Sequence, residues 1–463
     1  MEKNQDYKKA FILLTSLFFM WGFITVMNDV LVNTFKDIFD LTPTERSLVQ
    51  QAFFGAFFVV SLLYFTISSV RGTDPINRIG YKNGMSISLL ICGIGCLSFY
   101  PAAMMESYPA LLGSLFVLAI GVACLQICAN PYATILGSSE TASSRLNLAQ
   151  GFNSLGTTLG PLIGTILIYE IFSTGEETPE SVGQTYMVYG AAFIVLALMV
   201  RASKMPSFVN EERIEPGLKV LKNRHLTLGI IAIFFYVGAE VAVGTWLVEF
   251  ATSEKTMALP KAEASYLLPF FWGGLMIGRL MASISLNSNL SKKDQLTRMG
   301  LVSVSVFAVL YLVISIKIGK FVPFSEVYVY LICLAVNFLA FILGAGKPAK
   351  SLMVFSSINV VLFLMAMFAE EEVALWCLIG TGLFFSIGWS NVFSLAIRGL
   401  GKYTSQGSSL LVMAIVGGAF IPTAQSMLIE SKGVQFSFIV PAIAMLYLIF
   451  YGWNGYKTKE ELS

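Results

Sequence analysis

The sequence predicts an all-α membrane protein of fourteen spanning helices, and three features predict it. Of 463 residues, 56% are hydrophobic and only 13% are charged, whereas an average soluble domain carries about 25% charged residues. The mean hydropathy is +0.73. The apolar residues fall in blocks of about twenty or more with short polar punctuation between them, long enough to cross ~30 Å of hydrocarbon as helix. Lipid admits only helices or closed barrels, because every backbone polar group must be paired. These blocks lack the roughly ten-residue alternation of barrel strands.

Hydropathy places the segments at 10–36, 47–70, 83–103, 108–137, 146–171, 185–202, 227–252, 264–287, 297–317, 325–344, 351–368, 373–397, 407–429 and 435–454. Residues Met1 to Lys9 are polar, and the block after them is too long for the apolar region of a cleavable signal, so it is expected to be the first membrane helix. With the amino terminus inside, the inner segments hold about 22 of the 30 basic residues, among them Arg71, Arg78, Lys82, Arg145, Lys219, Arg224, Arg398 and Lys402. Acidic runs such as Glu370 to Glu372 fall outside. A plasma (inner) membrane protein with both termini cytoplasmic is expected.

The basic loop 203–226 divides the chain into an amino-terminal six-helix bundle, 1–202, and a carboxy-terminal bundle, 227–463. A weak internal repeat supports the division. Asn130-Pro131-Tyr132, Leu136-Gly137, Gly156 and Gly160-Pro161 are echoed by Asn391-Val392-Phe393, Leu400-Gly401, Gly417-Gly418 and Pro422. The first copy lies on segments 4 and 5 and the second on segments 12 and 13. Two extra helices must therefore lie between segments 8 and 12, either 297–344 or 325–368. Two six-helix halves joined by a basic loop describe a transporter of the major facilitator type. Asn77-Arg78-Ile79-Gly80-Tyr81-Lys82 resembles that superfamily's D-R-x-G-R-K turn, with Asn for Asp and Tyr for Arg. The predicted fold is thus the major facilitator fold with an extra helix pair.

Charged groups in these segments need a reason, since a carboxylate at mid-membrane costs about 2.5–3.5 kcal/mol on insertion scales. Asp29 follows Asn28 on the first helix, with Asn33 one turn on, and the three are candidates for cation coupling. Glu240, in Tyr236-Val237-Gly238-Ala239-Glu240, is another. Arg279 on segment 8 is expected toward the basic side, where it snorkels to water. Gln126 and Asn130 are a turn apart on segment 4, and Gln150 and Asn153 share a face of segment 5. Side-chain amides donate and accept, which suits a ligand rich in hydroxyls. Tyr236, Trp246, Trp272 and Trp389 are candidates to stack on the apolar face of a sugar, against the alternative of packing or interfacial roles. The six cysteines lie in apolar blocks and read as small buried side chains. His225, the single histidine, is placed in a loop without metal-binding neighbours.

Several motifs together resemble the fucose–galactose–glucose:cation symporters. They are Ser16-Leu17-Phe18-Phe19-Met20-Trp21-Gly22 with Asn28-Asp29, Cys124-Leu125-Gln126 through Asn130-Pro131-Tyr132, Tyr236-Val237-Gly238-Ala239, and Phe393-Ser394-Leu395-Ala396-Ile397. The most specific is Arg145-Leu146-Asn147-Leu148-Ala149-Gln150-Gly151-Phe152-Asn153-Ser154-Leu155-Gly156. The resemblance implies hexose uptake driven by an ion gradient. It places Asp29 on the family's first-helix Asp and Gln150 and Asn153 on polar cavity positions. Three departures stand out. Gln126 replaces a Glu that loads the proton in proton-coupled members, Glu240 replaces an amide, and Ser390 stands where Pro often follows an aromatic residue.

Gln cannot titrate, so the expectation is Na⁺ coupling, with Asp29 as a possible Na⁺ ligand beside Asn28 and Asn33. The alternatives are a proton-coupled symporter using Asp29 and Glu240, or a non-transporting sugar sensor on the same fold. A membrane enzyme is not expected, because no HExxH, G-x-S-x-G or P-loop is present. Nor is nucleic-acid binding, at a net charge of +2 without a basic arm. No cofactor is expected beyond the coupling ion, and the partners expected are a sugar and the bilayer, with the protein a monomer.

Overall fold

The computed structural model describes residues 2–41, 43–173, 178–208, 214–260, 264, 267–318, 321, 323–458 and 461; for a few helical residues, Asp29 and Asn33 among them, it describes the backbone alone. Among these residues the secondary structure is helical throughout, without strands. Fourteen segments among the described residues are long and apolar enough to cross a membrane, and the chain is a multi-pass membrane protein.

The first half of the chain contributes α1 (Glu2–Phe39), α2 (Pro43–Arg71), the short α3 (Pro75–Ile79), α4 (Tyr81–Met104), α5 (Tyr108–Ile135), α6 (Ala142–Thr165) and α7 (Pro179–Ala202). The second half contributes α8 (Arg224–Thr252), α9 (Leu268–Ser285), α10 (Lys292–Ile318), α11 (Phe324–Gly344), α12 (Pro348–Phe368), α13 (Glu371–Phe385), α14 (Gly388–Ala396), α15 (Thr404–Met413), α16 (Gly417–Lys432), α17 (Val434–Ser437) and α18 (Ile439–Phe450).

Three segments that hydropathy reads as continuous are interrupted. The one expected at 373–397 is split into α13 and α14 at Ser386–Ile387. The one expected at 407–429 is split into α15 and α16 by a 3₁₀ turn at Ala414–Val416. The one expected at 435–454 is split into α17 and α18, whose end runs into a π-turn at Tyr451–Gly455. Apolarity sets which residues meet lipid or protein, and says little about whether the ladder inside is unbroken. His225 is likewise not in a loop. It lies in the first turn of α8, buried, with Nε2 2.9 Å from the Arg398 carbonyl.

Packing decides which helices are the extra pair. In the first half α4 packs chiefly on α5 and α7, and α2 packs on α5. The same pattern recurs in the second half, where α12 packs on α13 and α18, and α9 packs on α13. Thus α12 repeats α4 and α9 repeats α2, and the pair left over is α10–α11. Close approach in the first half rests on small residues, as is usual between membrane helices. A Cβ on Gly121 would lie 2.5 Å from the Cys92 backbone nitrogen. All six cysteines are free, and only Cys124 has appreciable exposure.

The chain forms two compact units. The first comprises residues 1–137, 155–222 and 399–416; the second comprises 138–154, 223–398 and 417–463. Each therefore holds a short piece of the other sequence half, tied in by polar bonds. In the first unit Asn77 Nδ2 donates to the Lys402 carbonyl (2.7 Å), the Tyr81 and Ser405 hydroxyls meet (2.9 Å), and Ser408 donates to the Ile127 carbonyl (3.0 Å). In the second, Asn147 Nδ2 donates to Asn391 Oδ1 (3.1 Å), the Ser143 and Ser394 hydroxyls meet (2.7 Å), and Ser144 donates to the Ser283 carbonyl (2.5 Å).

The turn between α2 and α4 is built around Asp74. Its Oδ1 caps α3 by accepting from the backbone N–H of Ile76 (2.9 Å) and Asn77 (3.0 Å), with Pro75 at the first helical position, and it also accepts from the Tyr64 hydroxyl (2.5 Å). Burial raises the carboxyl above its ordinary value. Asp74→Ala is expected to destabilise the protein by about 1–2 kcal/mol, the upper range of lost caps. Asp74→Asn, which keeps the accepting oxygen, should lie closer to wild type. Thermal unfolding in detergent measures both.

Candidate functional site

The best-defined polar constellation in the apolar interior is built around the interruption between α13 and α14. The segment Glu371–Ala396 is the most enclosed by protein of the fourteen spans. A helix end leaves its last four carbonyls without partners in the ladder, and in an apolar interior each needs another donor. Side chains of several helices supply them. The Tyr236 hydroxyl on α8 donates to the Phe385 carbonyl (3.0 Å). Arg279 Nε on α9 donates to the Ser386 carbonyl (3.3 Å). The Leu383 carbonyl accepts from the Ser386 hydroxyl (2.7 Å) and from Asn337 Nδ2 on α11 (2.9 Å). Gly388 is needed for this arrangement, since a Cβ there would overlap the Tyr236 ring.

Arg279 extends the network. Its Nη1 donates to the Ser154 hydroxyl (2.6 Å), and its Nη2 pairs with Glu240 Oε1 (3.5 Å). Arg279 and Glu240 are only 7% and 8% exposed. The arginine therefore does not snorkel to the basic side, because its guanidinium has three acceptors inside the protein. Removing either partner would leave the other as an unpaired buried charge, which is far costlier than the pair itself.

The other expected site residues divide between the two units. In the first, Gln126 and Asn130 are buried on α5, and the Asn130 amide also bonds back to the Gln126 carbonyl (3.1 Å). Asn28 on α1 is buried, and its Oδ1 has no hydrogen-bond partner among the described residues. Asp29 and Asn33 lie on the same helix, and their side chains are outside the described residues. In the second unit, Gln150 and Asn153 are buried on α6, on the piece that also carries Ser154. The Tyr236 ring is packed edge-on to Phe385 at 6.0 Å between centroids. Trp246 donates its N–H to the Pro422 carbonyl (3.3 Å), Trp272 packs edge-on to Phe271 (5.0 Å) and over Gly244, and Trp389 stacks on Phe393 (5.8 Å).

This arrangement suits reversible handling of a polar solute. A buried ion pair, hydroxyls and side-chain amides offer donors and acceptors in surroundings that exclude water, and an interrupted helix can shift its carbonyls between partners. Ser154, Ser386 and Asn337 were not legible as site residues. A lone serine in a membrane helix usually bonds its own backbone, and Asn337 stands in a segment that otherwise reads as lipid-facing. Residues 10–349 match the Major Facilitator Superfamily.

The chain belongs to the Major Facilitator Superfamily. It is 38% identical to the glucose/galactose transporter of Brucella abortus, over 98% of this chain and 96% of that protein. It is 34% identical to the putative glucose/galactose transporter of Helicobacter pylori, over 97% of each chain. It is 25% identical to the L-fucose-proton symporter of Escherichia coli, over 97% of this chain and 93% of that one. Among solved structures it superposes on the superfamily transporter FucP in the outward conformation with a TM-score of 0.76, at 25% identity, covering 98% of this chain and 100% of that one.

Glu240→Ala, which strands Arg279, is expected to destabilise this superfamily member by roughly 3–5 kcal/mol, as for other broken buried pairs. The double variant Glu240→Gln/Arg279→Met, which removes both charges, should be markedly more stable than that single one. Detergent unfolding curves of the three proteins measure the difference.

Proposed function

We propose that this chain is a secondary active transporter that takes up a hexose together with a cation by alternating access. The observation that carries the reading is the 38% identity, over nearly the whole of both chains, to a protein named a glucose/galactose transporter. The residues fit that substrate. Gln126, Asn130, Gln150 and Asn153 are buried amides, and hydroxyl-rich ligands need groups that both donate and accept. The basic loops and both termini are assigned to the cytoplasm of the inner (plasma) membrane, following the distribution of Lys and Arg. In this reading the sequence halves are the moving bodies, and the polar bonds of Asn77, Tyr81, Asn147 and Asn391 are broken and remade in each cycle.

Sodium is proposed as the coupling ion and Asp29 as its carboxylate. Gln126 cannot carry a proton, and Asn28, next to Asp29, offers a buried amide oxygen that has no partner among the described residues. Hard cations take oxygen ligands of this kind. A proton is the second reading, favoured by the buried Glu240–Arg279 pair and by the relatives named as proton symporters. Coupling requires that sugar and cation together, and neither alone, favour the change of state.

Uptake of labelled glucose, galactose, mannose and fucose into proteoliposomes under inward Na⁺ or H⁺ gradients tests this reading. Accumulation of glucose or galactose under Na⁺ alone is expected. Accumulation under H⁺ alone would move the coupling role to Glu240, and no uptake of any sugar would overturn the function. Asp29→Asn should abolish accumulation above equilibrium while leaving sugar exchange across the membrane. Gln126→Glu should shift uptake toward acidic pH, and an unchanged pH profile would remove that position from the pathway.

A further inference from the structure

The α10–α11 pair has no counterpart in the first half of the chain, and a pair facing lipid needs no polar residue in its core. Yet α11 carries one side-chain amide, Asn337, midway along the helix. It is fully buried, on the same face as Tyr330, Cys333 and Phe341, while Leu339 on the opposite face is 57% exposed. Small residues bring that face in. A Cβ on Gly380 of α13 would lie 2.7 Å from Cys333 Sγ, and one on Gly274 of α9 would lie 3.1 Å from the Tyr330 hydroxyl.

Asn337 reaches the interrupted helix. Leu383 O accepts only, so the amide must present its N–H to it, at 2.9 Å. The next carbonyls along this stretch hold Tyr236 and Arg279, and Arg279 in turn holds Ser154 and Glu240. A donor from the added pair thus acts on the same few residues of backbone that aim the charged centre of the site.

We propose that α11 of this pair is a brace for the interruption, and that Asn337 is a positioning residue for transport. It holds the Leu383 carbonyl in place and thereby fixes where Phe385 and Ser386 meet Tyr236 and Arg279. Without it the Leu383 carbonyl keeps only the Ser386 hydroxyl, and Arg279 loses its register with Ser154 and Glu240. The inference rests on the transport reading for its functional consequence and on the packing alone for the brace.

The test uses the full chain in proteoliposomes with labelled glucose. Asn337→Leu fills the site without a donor, and Asn337→Ala serves if the leucine variant does not fold. Tyr330→Phe is the control, because it removes a bond from the same helix to the Phe270 carbonyl (3.1 Å), away from the interruption. Loss of Asn337 is expected to raise the sugar concentration for half-maximal uptake fivefold or more, with the maximal rate per folded protein within twofold of wild type. Tyr330→Phe should leave both unchanged. A half-saturation unchanged by either Asn337 variant, or shifted as much by Tyr330→Phe, would overturn the assignment. If wild type takes up none of the four hexoses, the transport reading falls separately and unfolding in detergent still reads the brace. Asn337→Ala and Arg279→Lys should then be non-additive in the double variant, and additivity would overturn it.

Discussion

The structure turns on one requirement: carbonyls left by an interrupted helix in an apolar interior must find donors. The stretch from Leu383 to Ser386 meets it with a tyrosine, an arginine, an asparagine and its own serine, three of them from different helices. Unpaired, each carbonyl would cost about 1–3 kcal/mol, so the four side chains and the helices that carry them are drawn together at the interruption. The glycines follow from this, since Gly388 makes room for Tyr236, and Gly278 brings α9 onto Ser386. The second unit is in this sense organised around a defect in its most enclosed helix.

The Glu240–Arg279 pair shows why such a site is not explained by stability. Two charges taken out of water recover their desolvation cost only with good geometry and further hydrogen bonds, and apolar replacements often do as well. Here the arginine has those bonds, to Ser154 and Ser386, while the ion-pair distance of 3.5 Å is long. A pair that is adequately but not tightly held can exchange partners. One of its partners, Ser154, lies on a piece of α6 that comes from the other half of the chain.

Much of the fold was legible because spanning segments depend on length and hydropathy, which the sequence displays directly. The fourteen segments needed nothing more, and the symporter resemblance rests on residue motifs in the first, fourth, fifth, seventh and twelfth of them. The interruption at 386 was hidden because Phe384-Phe385-Ser386-Ile387-Gly388-Trp389 continues an apolar run, and a ladder defect leaves no mark on hydropathy. Arg279 was misplaced because its position along the helix suggested an end, and its three acceptors come from segments distant in sequence. The location of the extra pair was undecided in the repeat, since α10, α11 and α12 all read as spanning segments, and the packing of α12 on α13 and α18 distinguishes them. Asn337 was passed over for the same reason. Its meaning lies in a carbonyl 46 positions away.

The central claim is that the interruption is where the protein responds to its sugar. Amide hydrogen exchange of the peptide spanning residues 383–390, in reconstituted protein with and without saturating glucose in the presence of Na⁺, tests it most directly. The account predicts slower exchange there when sugar is bound, greater than any change in α10 and α11. Exchange unaltered by a sugar that the same preparation demonstrably transports would contradict it.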